Sequence, residues 1–357
     1  MRKKEENLFR KEESAKIREK KRSAVFSRVS VGTLTKMLCC VAIVVFAFVF
    51  ALPQAGFSKD KLVQSEAYKS IVSLWHIDSF EGGVGSRAEF LLRRAAEYEK
   101  KHPGVFVMVT SLTAESATEK FAAGETPDIV SYGYGVEILN YSSVDTEKTC
   151  AYGTLDGTVY AVPWCMGGYV VLSREELPED KVLPSAVVSK GNFTQPYAAL
   201  AASGYTLQNA VEKSPLEAYY RFVSGMSDIL IGTQRDINRL NLREESAVIT
   251  PLEGYNDLYQ YFSVTAASSE KKYYAEEFIG YVLSDGAQEK LSSIGMLSPY
   301  IDLSYETEGL TALQSVKNAK GISVFMPVAL YSEFSENALL AAGGDAAALK
   351  KMKNMLV

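Results

Sequence analysis

Residues 70–87 read SIVSLWHIDSFEGGVGSR, and this stretch decides how the rest of the chain is interpreted. The β-branched and aromatic run from Ser70 to Trp75 predicts a buried strand, and the glycine-rich segment from Glu81 to Gly85 predicts the loop that follows it. Ser86 can cap a helix, because its hydroxyl can accept a hydrogen bond from the first helical turn. The apolar spacing beyond it predicts a helix up to Lys101.

The strand-then-helix pattern repeats further along the chain. Residues 105–109 (VFVMV) predict a second strand, Thr113 precedes a second helix, and residues 128–132 (DIVSY) predict a third strand. Such strand–helix steps indicate a parallel α/β sheet, since parallel strands need crossover connections. Ligands of these sheets bind beyond the carboxyl ends of the strands, so we expect the loops 75–87 and 131–136 to form the functional edge.

The remaining residues indicate a second lobe. Residues 153–172 contain β-rich runs interrupted by proline and paired glycines, which is typical of a strand that crosses between lobes. Residues 173–215 predict a small lobe, and residues 229–231 predict a short buried strand. Further helices are predicted at 236–240, 273–283 and 286–294, and over most of 324–349.

Composition excludes several classes of function. The chain has 357 residues with 47% hydrophobic and 23% charged, an ordinary globular balance. Residues 1–36 hold twelve Lys or Arg against five Glu, so the rest of the chain is acidic, which argues against a nucleic-acid groove. With only His76 and His102 and no Cys-x-x-Cys, no metal site is expected. Residues 83–88 match the dinucleotide fingerprint with Ala88 at its third glycine position, where alanine is tolerated. No cofactor is expected, mainly because the export predicted below would deny the body a nucleotide pool.

An uncharged segment near the N-terminus predicts export. Met37 to Leu52 is free of charged residues and is followed by Pro53. At about 1.5 Å per residue it would reach roughly 24 Å, short of the ~30 Å hydrocarbon core, so a cleaved signal peptide and an uncleaved anchor both remain open. The basic leader 1–36 favours the cytoplasmic side, which places the body at the cell membrane on the extracytoplasmic side. An oxidising compartment permits a disulfide between Cys150 and Cys165, although two separate thiols are equally compatible with the sequence.

Several stretches occur together in a characteristic order. They are Leu74 to His76 with Glu81 to Gly83 and Ser86-Arg87, then His102 to Val105, Ala123-Gly124 with Thr126 to Ile129, Tyr160 to Trp164, Phe222 to Asp236 and Ala275 to Pro299. At these residues the chain resembles the extracytoplasmic solute-binding proteins of ABC importers, in the sugar-binding family that includes maltose-binding protein.

The resemblance implies a periplasmic-binding-protein-like α/β fold of two lobes with crossing hinge strands. The N-terminal lobe would combine residues 68–161 and 232–292, and the C-terminal lobe residues 162–231 and 293–357. The implied function is capture of a sugar or oligosaccharide in the interlobe cleft and its delivery to ABC permease subunits, without enzymatic activity.

One departure from the family weakens this implication. Only some sixty residues separate Trp164 from Asp228, where the family usually has about a hundred, so the second lobe is reduced. A surface sensor or degenerate paralogue that is not coupled to transport is therefore the alternative function.

Candidate ligand-binding residues follow from the predicted strand ends and the resemblance. Aromatic faces match the apolar faces of pyranoses, carboxylates and amides hydrogen-bond hydroxyls, and glycines allow close backbone approach. The candidates are Trp75, Glu81, Gly83, Tyr132, Trp164, Gly168, Gln234, Arg235 and Tyr255. No catalytic residue is predicted, since both histidines lie in the first lobe and the sequence has no nucleophile motif such as GxSxG.

Overall fold

The computed structural model describes residues 36, 38–42, 69–138 and 140–357, and the chain divides into the units 1–66 and 67–357. The predicted basic leader lies outside the described residues except for Lys36, as does most of the apolar segment 37–53. None of the helices in the described ranges combines the length and apolarity needed to span a bilayer.

The first lobe is built on a five-stranded sheet. Its strands are β1 (Ser70–Ile77), β2 (Val105–Leu112), β3 (Ile129–Tyr132), β6 (Val162–Met166) and β14 (Tyr259–Val264), while β4 (Thr154–Leu155) and β5 (Thr158–Val159) form a separate pair. The order is β2-β1-β3-β14-β6, in which β1 is parallel to β2 and β3 and β14 is antiparallel to both of its neighbours. The predicted parallel strands are confirmed.

Helices pack on this sheet, and the first two begin where the sequence predicted. They are α1 (Arg87–Lys101), α2 (Ala114–Ala122), α6 (Ser269–Leu283) and α7 (Asp285–Gln288), which continues as a 3₁₀ helix over Glu289–Ile294. The Ser86 hydroxyl accepts a hydrogen bond from the N–H of Glu89, and the Thr113 hydroxyl accepts one from the N–H of Ser116. Each cap satisfies an N–H that has no partner inside its helix, which fixes where that helix begins.

A second five-stranded sheet forms the other lobe, in the order β11-β9-β12-β7-β13. Its strands are β7 (Tyr169–Ser173), β9 (Ala186–Ser189), β11 (Ala210–Lys213), β12 (Ile229–Thr233) and β13 (Val248–Pro251), and β8 (Val182–Leu183) pairs separately with β10 (Thr206–Leu207). The helices are α3 (Pro196–Ala202), α4 (Pro215–Val223), α5 (Gln234–Leu242), α8 (Glu308–Leu313), α9 (Val328–Ala342) and α10 (Ala346–Asn354).

Two chain segments that cross between the sheets differ in position from the predicted lobe boundaries. Strand β6 pairs with β14 in the first sheet, so the first crossing lies at Gly167-Gly168 rather than before Val162. Strand β13 pairs with β7 in the second sheet, so the return crossing lies after Pro251 rather than at 232. Pro163 suggested a break, yet β6 is an edge strand of its sheet, where the missing N–H of proline is tolerated.

Aromatic side chains fill the core of the first lobe. Trp164, Phe90, Phe262 and Phe278 belong to one buried cluster between the sheet and helices α1 and α6. Cys165 is buried in the same cluster, whereas Cys150 is half-buried, and both thiols are free. Of the two alternatives left open by the sequence, the structure therefore shows separate thiols.

Candidate functional site

A cavity of about 390 Å³ lies between the lobes. Loops that follow strands of both sheets line it: Asp78 to Glu81 after β1, Tyr134 to Val136 after β3, Ser189 and Gly191 to Thr194 at the end of β9, together with Ala114, Glu115, Pro215, Thr233 and Leu258. This volume is within the usual range for small-molecule sites. The two loops predicted to form the functional edge both contribute to the cavity.

Aromatic side chains reach the cavity from both lobes. Phe80 and Tyr134 come from the first lobe, and Phe193 comes from the second. The Phe193 side chain is 44% exposed, and a Cβ on Gly135 would lie 2.2 Å from its Cγ atom. The Phe193 ring of the second lobe therefore lies directly on the backbone of Gly135 in the first lobe. Its exposed part offers a flat apolar surface to a ligand.

Two buried hydrogen-bond donors behind Asp78 hold its carboxylate at the cavity wall. Its Oδ1 atom accepts hydrogen bonds from His76 Nε2 at 3.0 Å and from Arg87 Nε at 2.8 Å. Burial acts to raise the pKa of Asp78, but the His76 hydrogen bond and the Arg87 charge outweigh it and hold the pKa at about 2. Asp78 is thus a fixed negative charge at neutral pH.

A chain of hydrogen bonds connects Asp78 to the core of the first lobe. Burial lowers the pKa of His76, so its imidazole is neutral and must donate from Nε2 to the carboxylate, which only accepts. Its Nδ1 then accepts from the Ser131 hydroxyl at 2.9 Å, and Ser131 accepts from Trp164 Nε1 at 3.0 Å. The Trp164 indole is therefore connected to Asp78 through the side chains of Ser131 and His76.

Gln234 joins the lobes behind the cavity. Its buried amide accepts a hydrogen bond from the N–H of Gly168 at 3.1 Å and donates one to the carbonyl oxygen of Glu81 at 3.0 Å. Gly168 belongs to the crossing segment and Glu81 to the loop after β1. One side chain thus ties a crossing segment to a cavity loop.

Two arginines of α5 complete this interlobe junction. Arg239 Nη2 donates to Glu81 Oε1 at 2.7 Å, and its Nη1 donates to Asp236 Oδ1 at 2.9 Å. Arg235 donates to the carbonyl oxygen of Gly83. Five of the predicted ligand-binding residues are therefore brought together, and each of them hydrogen-bonds to another of the set: Glu81, Gly83, Gly168, Gln234 and Arg235.

Gly83 leaves no room for a side chain at this junction. A Cβ there would lie 1.9 Å from the carbonyl oxygen of Ile294, whereas a Cβ on the neighbouring Gly82 would have 3.6 Å to its nearest atom. We expect Gly83→Ala to lower the free energy of unfolding by about 1–3 kcal/mol through overpacking, and Gly82→Ala to be nearly neutral. Urea unfolding of both variants measures this difference; equal stabilities would show that the junction opens at no cost.

The fold is similar to those of several sugar-binding proteins. The sugar-binding protein MalE from Xanthomonas citri matches with a TM-score of 0.54 and 16% identity over 80% of this chain and 96% of that chain. The galacto-N-biose/lacto-N-biose I-binding protein of the ABC transporter from Bifidobacterium longum matches with a TM-score of 0.54 and 14% identity over 82% and 96%. A Streptococcus pneumoniae solute-binding protein in complex with the blood group A-trisaccharide matches with a TM-score of 0.54 and 13% identity over 80% and 99%.

The chain has the solute-binding-protein fold. No protein-family model matches it, and no curated protein sequence does. The predicted fold class, two α/β lobes with crossing hinge strands, is confirmed. The interlobe cavity lies beyond the strand ends of both sheets of this fold, which makes it the candidate site.

Four predicted aromatic residues lie in the cores of the solute-binding fold rather than in the cavity wall. Trp164 is fully buried between Phe90 and Phe262, and Trp75 packs on Phe121 of α2. The Tyr132 hydroxyl pairs with that of Ser263 at 2.9 Å, and the buried Tyr255 donates to Asp257 at 3.1 Å. Side chains alternate across a strand, so a position near a strand end does not determine which face a ring occupies.

Several cavity residues were missed by sequence reasoning. Asp78 and Ser79 directly follow β1, and Asn192 and Phe193 lie in the loop after β9. The sequence did contain a signal for Asp78 and Ser79, because the loop 75–87 was already predicted to form the functional edge. Ala186 to Ser189 is a short β-rich run before Gly191, so the same strand-end rule applied to the second lobe would have found Phe193.

Proposed function

We propose that the chain is the extracytoplasmic substrate-binding component of an ABC transporter, and that it captures a sugar or oligosaccharide in the cleft between its lobes. The observation that carries this proposal is the interlobe cavity, lined by strand-end loops from both sheets and by aromatic side chains from both lobes. Similar structures support it, since their ligands include lacto-N-biose and the blood group A-trisaccharide.

Closure of the lobes is the mechanism we infer. A ligand that contacts Phe80 on one lobe and Phe193 on the other stabilises the closed arrangement more than an open one, and so shifts the population towards closure. The permease would then recognise the closed surface. Capture of a ligand by lobe closure requires no covalent step, and we propose binding rather than catalysis as the role of the chain.

Location is part of the proposal. The basic leader 1–36 would stay in the cytoplasm and the apolar segment 37–53 would enter the membrane, as a signal peptide or as an anchor. The two lobes would then lie outside, where they can meet nutrients before the permease does.

Ligand-dependent thermal stability tests the proposed function. A ligand that binds only the folded state raises the melting temperature by mass action, about 2.7 kcal/mol of added stability at one hundred times Kd. The purified full-length chain would be screened against neutral, amino and acidic mono- and disaccharides, with amino acids as a separate set. Stabilisation by saccharides supports the proposal, whereas stabilisation by amino acids alone or by no compound contradicts it.

Phe193 provides a sharper test inside the cavity. We expect Phe193→Ala to weaken saccharide binding about tenfold, which corresponds to roughly 1.4 kcal/mol, because a stacking surface is lost. Stability should change little, since the side chain is 44% exposed. Titration calorimetry measures the affinity with the bound saccharide identified by the thermal screen.

A matched control for this variant lies on the first sheet. Phe106 on β2 is 50% exposed and does not line the cavity, so Phe106→Ala should retain the full affinity. If both variants bind as tightly as the native chain, Phe193 does not contact the ligand.

A further inference from the structure

Two carboxylate oxygens at the cavity lack a donor. Asp78 receives both of its described side-chain hydrogen bonds at Oδ1, and no described residue donates to its Oδ2. Glu81 Oε1 accepts from Arg239, whereas Glu81 Oε2 is buried without any hydrogen-bond partner among the described residues. A buried acceptor without a donor is costly, so a ligand donor would gain energy at Glu81 Oε2. The Asp78 side chain is 56% exposed, so its Oδ2 is directly accessible to a ligand.

Glu81 shares its one cationic partner with a second carboxylate. Arg239 is shared between Glu81 and the fully buried Asp236, so one guanidinium serves two carboxylates. Arg235 gives its hydrogen bond to the Gly83 carbonyl oxygen and forms no ion pair within the described part of the chain. Burial above all, and the nearby Glu81 charge in addition, raise the pKa of Asp236 to about 6.

The cavity wall has no compensating cation. Asp78, Glu81 and Glu115 line it, while its described lining includes no lysine, arginine or histidine. Arg87 lies behind Asp78 with a side chain that is 1% exposed, covered by the Phe80 ring at 4.2 Å. A ligand in the cavity therefore meets carboxylates and no cationic side chain in the described lining.

We propose that the natural ligand of the cleft carries a primary ammonium group, as an amino sugar does, and that Glu81 and Asp78 bind it. This inference rests on the proposed saccharide-binding function. A sugar hydroxyl can donate to an unpartnered oxygen, but only a cation also adds a positive charge where one guanidinium is shared by Glu81 and Asp236. The terminal torsion of glutamate is soft, so a small rotation turns Oε2 towards the cavity. Uronic acids and sugar phosphates are excluded by the same carboxylates.

Calorimetric titration with one disaccharide in four forms tests the ammonium group. The probes are the β-1,4-linked glucosamine disaccharide, its N-acetylated form, cellobiose and cellobiouronic acid, each titrated into the full-length chain. We expect the amine to bind at least tenfold more tightly than cellobiose, and the acid to bind more weakly than either. Raising the salt concentration should reduce this ratio, because the preference is electrostatic.

Glu81→Gln identifies the carboxylate responsible. Glutamine keeps an acceptor for Arg239 while removing the charge, so the ratio of amine to cellobiose affinity should fall to about one to three. Glu119→Gln removes the same charge from an exposed position on α2 that does not line the cavity, and it should keep the ratio of the native chain. The ratio is the readout, because any effect of Glu81 on the interlobe junction changes both affinities alike.

The possible outcomes distinguish a failure of the ammonium proposal from a failure of the proposed saccharide-binding function. Equal affinity for cellobiose and the amine, or an unchanged ratio in Glu81→Gln, overturns the ammonium proposal and leaves saccharide binding intact. If none of the four probes and no sugar of the thermal screen binds, the proposed function fails and the ammonium proposal fails with it.

Discussion

Trp164→Ala will lower the free energy of unfolding by about 3–5 kcal/mol, the usual cost of deleting a buried indole. The ring is fully buried and stacks between Phe90 at 5.7 Å and Phe262 at 5.4 Å, with centroid distances that allow offset stacking. Its Nε1 also donates to Ser131, so the variant removes a hydrogen bond from a buried network as well as creating a cavity.

Urea unfolding followed by circular dichroism measures this loss. Trp164→Phe is the matched control, because it keeps a ring between the two phenylalanines and loses the hydrogen bond to Ser131, for a cost of about 1–2 kcal/mol. A Trp164→Ala variant with native stability and no saccharide binding would contradict the structure and return the indole to the cavity wall.

This tryptophan shows where sequence reasoning succeeds and where it fails. Local signals predicted the elements around it: the caps at Ser86 and Thr113 and the parallel strands are all present. They depend on backbone conformation and short-range hydrogen bonds, which residue type and spacing determine. Whether a ring on a strand faces a cleft or a core depends on the helices that pack on each face, and those helices come from distant parts of the chain.

The interlobe junction illustrates the same limit for polar residues. Gln234 was a good candidate, because an amide between a strand and a helix near the cleft can bind a ligand. It instead pairs with Gly168 and Glu81, residues 66 and 153 positions away in the sequence. Phe193, which does reach the cavity, lies in a segment of weak periodicity, where the short strand β9 before it was not predicted and the strand-end rule was therefore not applied.

Asp257 lies in the return crossing and has no cationic partner in the described chain. Its two oxygens accept hydrogen bonds from Tyr169 at 2.6 Å and from Tyr255 at 3.1 Å, and the Tyr169 hydroxyl also accepts from the N–H of Gln195. Other tyrosines surround it, including Tyr134 of the cavity wall. Burial raises the pKa of Asp257 to about 7, although both hydroxyl hydrogen bonds act to lower it.

Stability should therefore decrease as the pH rises through neutrality. The unfolded chain releases the Asp257 proton near pH 3.9, whereas the folded chain holds it until about pH 7, so between these values only the folded state is protonated. The stabilisation is complete below the unfolded pKa and is lost above the folded pKa. Raising the pH from 5 to 8 should therefore lower the free energy of unfolding by about 3 kcal/mol through Asp257 alone.

Asp257→Asn isolates that contribution, because asparagine keeps the shape of the side chain and cannot titrate. Free energies of unfolding in urea at pH 5 and pH 8 should differ by about 3 kcal/mol more in the native chain than in the variant. His76 and Asp236 also have shifted pKa values, but they titrate in both proteins and cancel in the comparison. Asp228→Asn, at a side chain that is 85% exposed, should keep the native pH dependence. Parallel pH profiles for the native chain and Asp257→Asn would mean that a neighbouring group compensates the buried carboxylate, and the return crossing would then be insensitive to pH.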